Sequence, residues 1–118
     1  MNAEQLAALT VLTFGREELA QKARPVKTIS GEYRELAARM IALMDEHSGV
    51  GLAAPQIGIL ERMFVVRFEA AAHVFINPSI IATSHEQIKM EEGCLSLPGI
   101  WADVVRPKSI TVQAWNER

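Results

Sequence analysis

A chain of 118 residues, 49% hydrophobic and with a formal net charge of −2, has the size of one globular domain and no basic footprint for nucleic acid or an anionic membrane. No apolar run approaches the roughly 20 residues of a membrane span, and the N-terminus MNAEQLAALTVLTFG lacks the basic start of a secretory signal. A single cysteine excludes an internal disulfide, so the thiol is expected reduced, in cytoplasm-like surroundings.

The first helical signal is REELAQKA, over 16–23, closed by Arg24-Pro25. Ser30 then stands as N-cap of a longer helix over 30–48, with Glu32 in the first turn, where the macrodipole favours a carboxylate. Leu36, Met40, Leu43, Met44 and His47 recur at helical spacing and mark one face for burial. Gly49 lies where a C-terminal glycine stops that helix. Beyond it the pattern changes to strands: MFVVRF (63–68), VFINP (74–78, ended by its proline), SIIAT (79–83), IWADVV (100–105) and SITVQAW (109–115). In the last, Ile110, Val112 and Ala114 alternate with Thr111, Gln113 and Trp115, the period of a half-exposed strand. A helix followed by short strands predicts an α+β fold with a mainly antiparallel sheet, in a single domain over 1–118.

Two stretches carry residue types suited to chemistry. In GVGLAAPQIG (49–58), glycines flanking Val50 permit close backbone approach or positive φ. The pattern lacks the third glycine of a dinucleotide fingerprint and precedes no helix, which excludes that reading. Gln56 is the polar side chain between Gly51 and Gly58, able to donate a hydrogen bond into a site. In EEGCLSLPG (91–99), Cys94 has three readings from its chemistry alone. It packs as a buried thiol; it acts as a nucleophile with a base among His47, His73 and His85; or it binds a metal together with about two further donors. The spacing favours none of the histidines and offers no H-x-x-x-H pair. His47 is expected to pack at the helix end, and His73 and His85 to be solvated.

Taken together and in this order, GVGLAAPQ and EGCLSLPG resemble the first two of the three signature motifs of peptide deformylases. ARPV, INP and VVRP resemble their surroundings in that family, so the likeness runs from about residue 9 to residue 118. The resemblance implies metal-dependent hydrolytic removal of the formyl group from the N-terminal formyl-methionine of new polypeptides. It implies an N-formylmethionyl nascent chain as partner, met at the ribosome in the cytoplasm. It also implies a divalent metal, Fe²⁺ with Zn²⁺ or Ni²⁺ as substitutes, held by the motif cysteine and two histidines of an HExxH helix. On this sequence Cys94 would be the metal ligand, and the Gln56 side-chain amide with the Leu95 N–H would be the oxyanion donors. The peptide would add as a strand between Gly49, Val50 and Gly51 on one side and Met90 to Gly93, including Glu92, on the other. Val50 and Met90 would line part of the methionine pocket, and Arg106 is expected to pair with Glu92.

No HExxH occurs in the 118 residues, and the chain stops at WNER directly after a strand. The expected fold is therefore peptide-deformylase-like but without the HExxH helix, in a C-terminally incomplete domain. This chain alone is expected to be inactive and not to bind metal tightly. Apolar surface left uncovered is expected either to drive self-association or to be covered by a helix from a longer chain or a partner. Two other readings stand beside this one: a metal-free peptide-binding module, and a cysteine hydrolase using Cys94, which rapid thiol alkylation would reveal.

Overall fold

The computed structural model describes residues 1–13, 19, 21–94 and 97–117. It opens with a helix that the spacing of apolar residues does not announce, α1 (Ala3–Ala7). A capping box lets so short a helix stand: the Asn2 side chain accepts from the Gln5 N–H and the Gln5 side chain from the Asn2 N–H, each at 2.8 Å. The helix expected over 16–23 falls largely outside the described residues, and its described end, 21–23, is not helical.

Helix α2 (Gly31–Glu46) forms where expected and buries Leu36, Ala37, Met40, Leu43 and Met44. These enter one core with Val26, Leu52, Ala54, Ile57, Met63, Val65, Val74 and Ile76. Each fully buried Leu, Met or Ile side chain favours the folded state by about 1.5–3 kcal/mol, so this face anchors the domain. Ser30 takes the N-cap backbone position, yet its hydroxyl makes no capping bond. His47, expected on the buried face, is the exposed C-cap, because the chain leaves helical geometry there (φ −96°, ψ 9°). The stop itself lies one residue earlier than the sequence suggests. Ser48, not Gly49, takes the left-handed conformation (φ 56°). The Ser48 N–H donates to the Asp45 carbonyl at 3.1 Å and the Gly49 N–H to the Met44 carbonyl at 2.9 Å, the two bonds of a Schellman motif.

The strands are β1 (Gly51–Ala53), β2 (Met63–Phe68), β3 (Ala71–Thr83), β4 (Gln87–Cys94), β5 (Leu97–Pro107) and β6 (Ile110–Trp115). A four-stranded sheet runs in the order β1-β2-β3-β6, and β4-β5 form a separate ribbon; every pairing is antiparallel. Leu52 and Val65, opposite each other across β1 and β2, are both buried in the α2 core. Phe64 and Phe75, one step along on the other face, stack with ring centroids 4.7 Å apart.

Pro78 does not end a strand, contrary to the expectation from VFINP. The segments 74–78 and 79–83 are one strand, β3, that passes an irregularity between Ile76 and Ser79. There Asn77 has φ 52° and sends its N–H to the Arg62 carbonyl at 2.8 Å, while Pro78 has no N–H to leave unpaired. IWADVV lies inside the longer β5, and β6 keeps the expected alternation at half-buried Val112 and Ala114, with Ile110 exposed. The passage from sheet to ribbon is pinned where Ser84 and Ser109 exchange bonds at 2.8 and 2.9 Å. Among the described residues no helix is long and apolar enough to cross a membrane.

Candidate active site

The α+β core sets the first motif at the meeting of α2 and the sheet edge. Gly49 is tied back to α2 by its bond to Met44, and the Val50 carbonyl accepts from the Arg67 N–H at 2.8 Å. Arg67 also grips the end of α2, its Nε and Nη2 donating to the two carboxylate oxygens of Asp45 at 3.0 and 2.8 Å. The segment is thus held along its backbone while the Val50 side chain stays 73% exposed. A Cβ on Gly51 would meet the Val65 carbonyl oxygen at 3.6 Å, an ordinary contact, so packing among the described residues does not require glycine there.

Directly after β1 the backbone tightens into a 3-10 turn, Ala54–Ile57, with Pro55 in its first positions and Gly58 closing it in the left-handed region (φ 83°). Gln56 rides on this turn, half-buried. Its side-chain oxygen Oε1 accepts from the Ala53 N–H at 2.9 Å, and its main-chain carbonyl accepts from the Leu12 N–H at 2.7 Å. The carbonyl end of the amide is therefore engaged by the backbone, and donation falls to the Nε2 end, which carries both amide hydrogens.

The second motif lies on the ribbon. Met90, Glu92 and Gly93 lie in β4 opposite Val104, Ala102 and Trp101 of β5, and Cys94 is its last residue. Nothing is described of the Cys94 side chain, and Leu95, the expected backbone donor, lies outside the described residues. The Met90 side chain is 50% exposed. Arg106 pairs with Glu92, as the sequence suggests, in a two-point fork: Nε to Oε2 at 2.6 Å and Nη2 to Oε1 at 2.7 Å. The hydrogen bonds from this guanidinium hold the Glu92 carboxyl below the usual carboxylate range.

Within the described sheets β1 pairs on one side only, with β2, and β4 on one side only, with β5. Of the segments expected to flank a peptide, Gly51 opens the edge strand β1, with Gly49 and Val50 just before it, and Met90 to Gly93 lie in β4. The histidines sit on three different parts of the fold: His47 at the end of α2, His73 in β3 stacked on Phe68 with centroids 4.1 Å apart, and His85 exposed between β3 and β4. Among the described residues no three His, Cys, Asp or Glu side chains are grouped to hold a metal ion. Among the described residues the chemistry on offer is strand-edge binding and hydrogen-bond donation.

Three positioning contacts are invisible in the motifs themselves: Ala53 to Gln56, Leu12 to Gln56 and Arg67 to Val50. Each runs through main-chain atoms, which carry no residue signature. The pair Asp45–Arg67 has opposite charges, but nothing local says that they meet.

A family model described as polypeptide deformylase matches residues 8–118. The peptide deformylase of Borreliella burgdorferi is 42% identical over 111 residues, covering 92% of this chain and 67% of the relative. That of Synechococcus sp. strain RCC307 is 40% identical over 119 residues, covering 97% of this chain and 59% of the relative. The chain thus spans between 59% and 67% of the length of these two relatives. The crystal structure of peptide deformylase from Thermotoga maritima matches with a TM-score of 0.90 at 38% identity, over 92% of this chain and 74% of that one. A peptide deformylase from Synechococcus elongatus in complex with actinonin matches with a TM-score of 0.89 at 37% identity, over 93% of this chain and 60% of that one.

Proposed function

The chain belongs to the polypeptide deformylase family, and from that premise we propose that it takes part in the metal-dependent hydrolytic removal of the formyl group from N-formylmethionyl polypeptides. The observation that carries this reading is the match over residues 8–118, which takes in both GVGLAAPQ and EGCLSLPG. In this reading the peptide adds as a strand between β1 and β4, bonding to Gly49, Val50 and Gly51 on one side and to Met90 to Gly93 on the other. The one-sided pairing of β1 and β4 and the exposure of Val50 and Met90 support it. Gln56 and the Leu95 N–H serve as donors to the developing oxyanion. Cys94 is the thiolate reserved for Fe²⁺, or for Zn²⁺ or Ni²⁺ in its place. Reaction with new polypeptides puts the work in the cytoplasm, beside the ribosome.

Residues 1–118 by themselves do not deformylate at a useful rate in this proposal. They contain no HExxH, and one thiolate falls short of the roughly three protein donors of a catalytic site. The test is formate release from a formyl-methionyl tripeptide by the purified chain, with Fe²⁺ or Ni²⁺ added anaerobically. No metal-dependent release is expected, and release that tracks the added metal overturns the proposed inactivity. Calorimetric binding of the same peptide in the presence of a chelator tests the groove. Binding supports a peptide site that works without metal, and no binding overturns it.

Ile80, paired with Val112, and Ile110 share one face of the β3-β6 pair and are 64% and 49% exposed, and in this proposal they belong to the surface through which the chain self-associates. Sedimentation velocity should show association that weakens when Ile80→Lys and Ile110→Lys are combined. A monomer at every concentration overturns it.

A further inference from the structure

Helix α1 lies outside the stretch that matches the family, which begins at residue 8, yet it is fastened to the body with care. Arg39, on α2, donates from Nε to the Leu6 carbonyl at 3.1 Å and from Nη2 to the carbonyls of Ala7 and Leu9 at 3.4 and 3.3 Å. These are carbonyls at the C-terminal end of α1 and just beyond it, where no further helical turn supplies donors. The guanidinium is steadied in turn by Glu46 at 3.7 Å, and the N-terminal ammonium lies 3.6 Å from Glu32. Leu6, Leu9 and Val11 pack against the core along the same path.

The arm that leaves this clamp runs to the turn bearing Gln56. The Leu12 N–H donates to the Gln56 main-chain carbonyl at 2.7 Å. The Leu12 Cδ1 lies 3.8 Å from where a Cβ on Gly58 would stand, so its side chain packs on the far end of the same turn. Gln56 is consequently held at two points, its backbone by the arm and its side-chain oxygen by Ala53. A residue fixed at both carbonyls has little freedom left in the direction of its NH₂ group.

We propose that the N-terminal arm is a strap that positions Gln56, with Arg39 as the positioning residue that keeps the strap in place. Arg39 acts at a distance: it holds the Leu6–Leu9 carbonyls, these set the path of the arm, and the arm seats the turn through Leu12. The role given to the oriented amide rests on the deformylase reading of Gln56. The strap itself does not.

The experiment is amide hydrogen exchange and side-chain NH₂ spectroscopy on the full ¹⁵N-labelled chain, comparing the parent with Arg39→Ala and Arg39→Lys. Arg39→Ala is expected to speed exchange at Leu12 by about tenfold or more, since hydrogen bonds from a charged donor are being removed. Exchange across Ala54–Gly58 should rise with it, and the Gln56 NH₂ signals should shift. Val65 and Ile76 should keep their protection, which a general loss of stability would not allow. Arg39→Lys, which keeps a donor to these carbonyls, should restore most of the effect. The strap is overturned if Leu12 is unaffected by Arg39→Ala, or if Leu12 loosens while Ala54–Gly58 and the Gln56 signals stay unchanged. A formyl-methionyl dipeptide that fails to move the Gln56 signals of the parent chain would count against the deformylase reading alone.

Discussion

Asn77 binds the backbone of Val26 through both ends of its amide. The Val26 N–H donates to Oδ1 at 2.7 Å and Nδ2 donates to the Val26 carbonyl at 2.9 Å, across 51 positions of sequence. The side chain thus imitates a strand partner and fastens the segment before α2 to the irregular point of β3. Asn also tolerates the left-handed backbone (φ 52°) that lets β3 pass Pro78. Asn77→Ala loses both bonds and keeps the strain, so it should destabilise the fold by about 2–3 kcal/mol. Asn77→Gly loses the bonds but relieves the strain, and should cost less. Urea denaturation measures both, and equal losses for the two variants would refute the backbone part of the account.

Ser48 and Ala70 occupy left-handed backbone that glycine adopts without penalty. Ser48 (φ 56°) closes α2, and Ala70 (φ 63°) follows Glu69 (φ 53°) in the two-residue hairpin between β2 and β3. That hairpin has positive φ at both central positions, the pattern that favours Asn-Gly. Ser48→Gly and Ala70→Gly should each stabilise the protein by about 0.5–1 kcal/mol, the relieved strain exceeding the added chain entropy. The sites are on different turns, so the double variant should show the sum. Thermal melts that fall for both variants would exclude the assigned conformations.

Tyr33 is the single tyrosine of the chain, so its titration can be read without interference. Burial, then the hydrogen bond of its hydroxyl to Glu61 at 2.8 Å, pushes its pKa up to about 12. The folded value stands above the unfolded one of about 10. Its contribution is therefore complete below about pH 10 and is lost as pH rises towards 12. Stability measured by urea should fall across that window in the parent chain and fall less in Tyr33→Phe. An identical decline in both would show that Tyr33 is not responsible.

Glu92, beside the cysteine motif, owes its depressed pKa first to the hydrogen bonds from Arg106. A carboxylate depressed in the folded state contributes above its unfolded pKa and loses that contribution as pH falls through the folded value. Arg106→Gln should raise the Glu92 midpoint towards the ordinary carboxylate range of about 4.3, read by ¹³C carboxyl chemical shifts. The shift should shrink at high salt in the parent chain, because the pair is largely exposed. A Glu92 midpoint unchanged by Arg106→Gln would show that Arg106 is not what depresses it.

Much of this architecture was legible in local pattern. The buried face of α2, the strand 63–68 and the alternation at Val112 and Ala114 follow from apolar spacing, which reports burial wherever one face meets a core. Gln56 and Cys94 stood out by residue type, their roles followed from the resemblance to the deformylase motifs, and the pair Glu92–Arg106 expected with them is formed. What failed were the stops: Gly49 and Pro78 looked like terminators, yet the left-handed turn fell on Ser48 and β3 ran on past the proline. Glycine and proline report what the backbone permits, while the position of a stop depends on which hydrogen bonds close around it.

By itself, then, the sequence determined the α+β class, the apolar faces and the two motifs that tie the chain to its family, because these depend on side-chain type at short spacing. Only the tertiary structure decided that Asn77 would stand in for a strand against Val26, that Arg39 would clamp α1, and that Leu12 and Ala53 would hold Gln56 from two sides. Most of these contacts join main-chain groups, or a side chain to main chain, and several cross long stretches of sequence. Such partners are selected by how the packed elements bring donors and acceptors together, which no local spacing records.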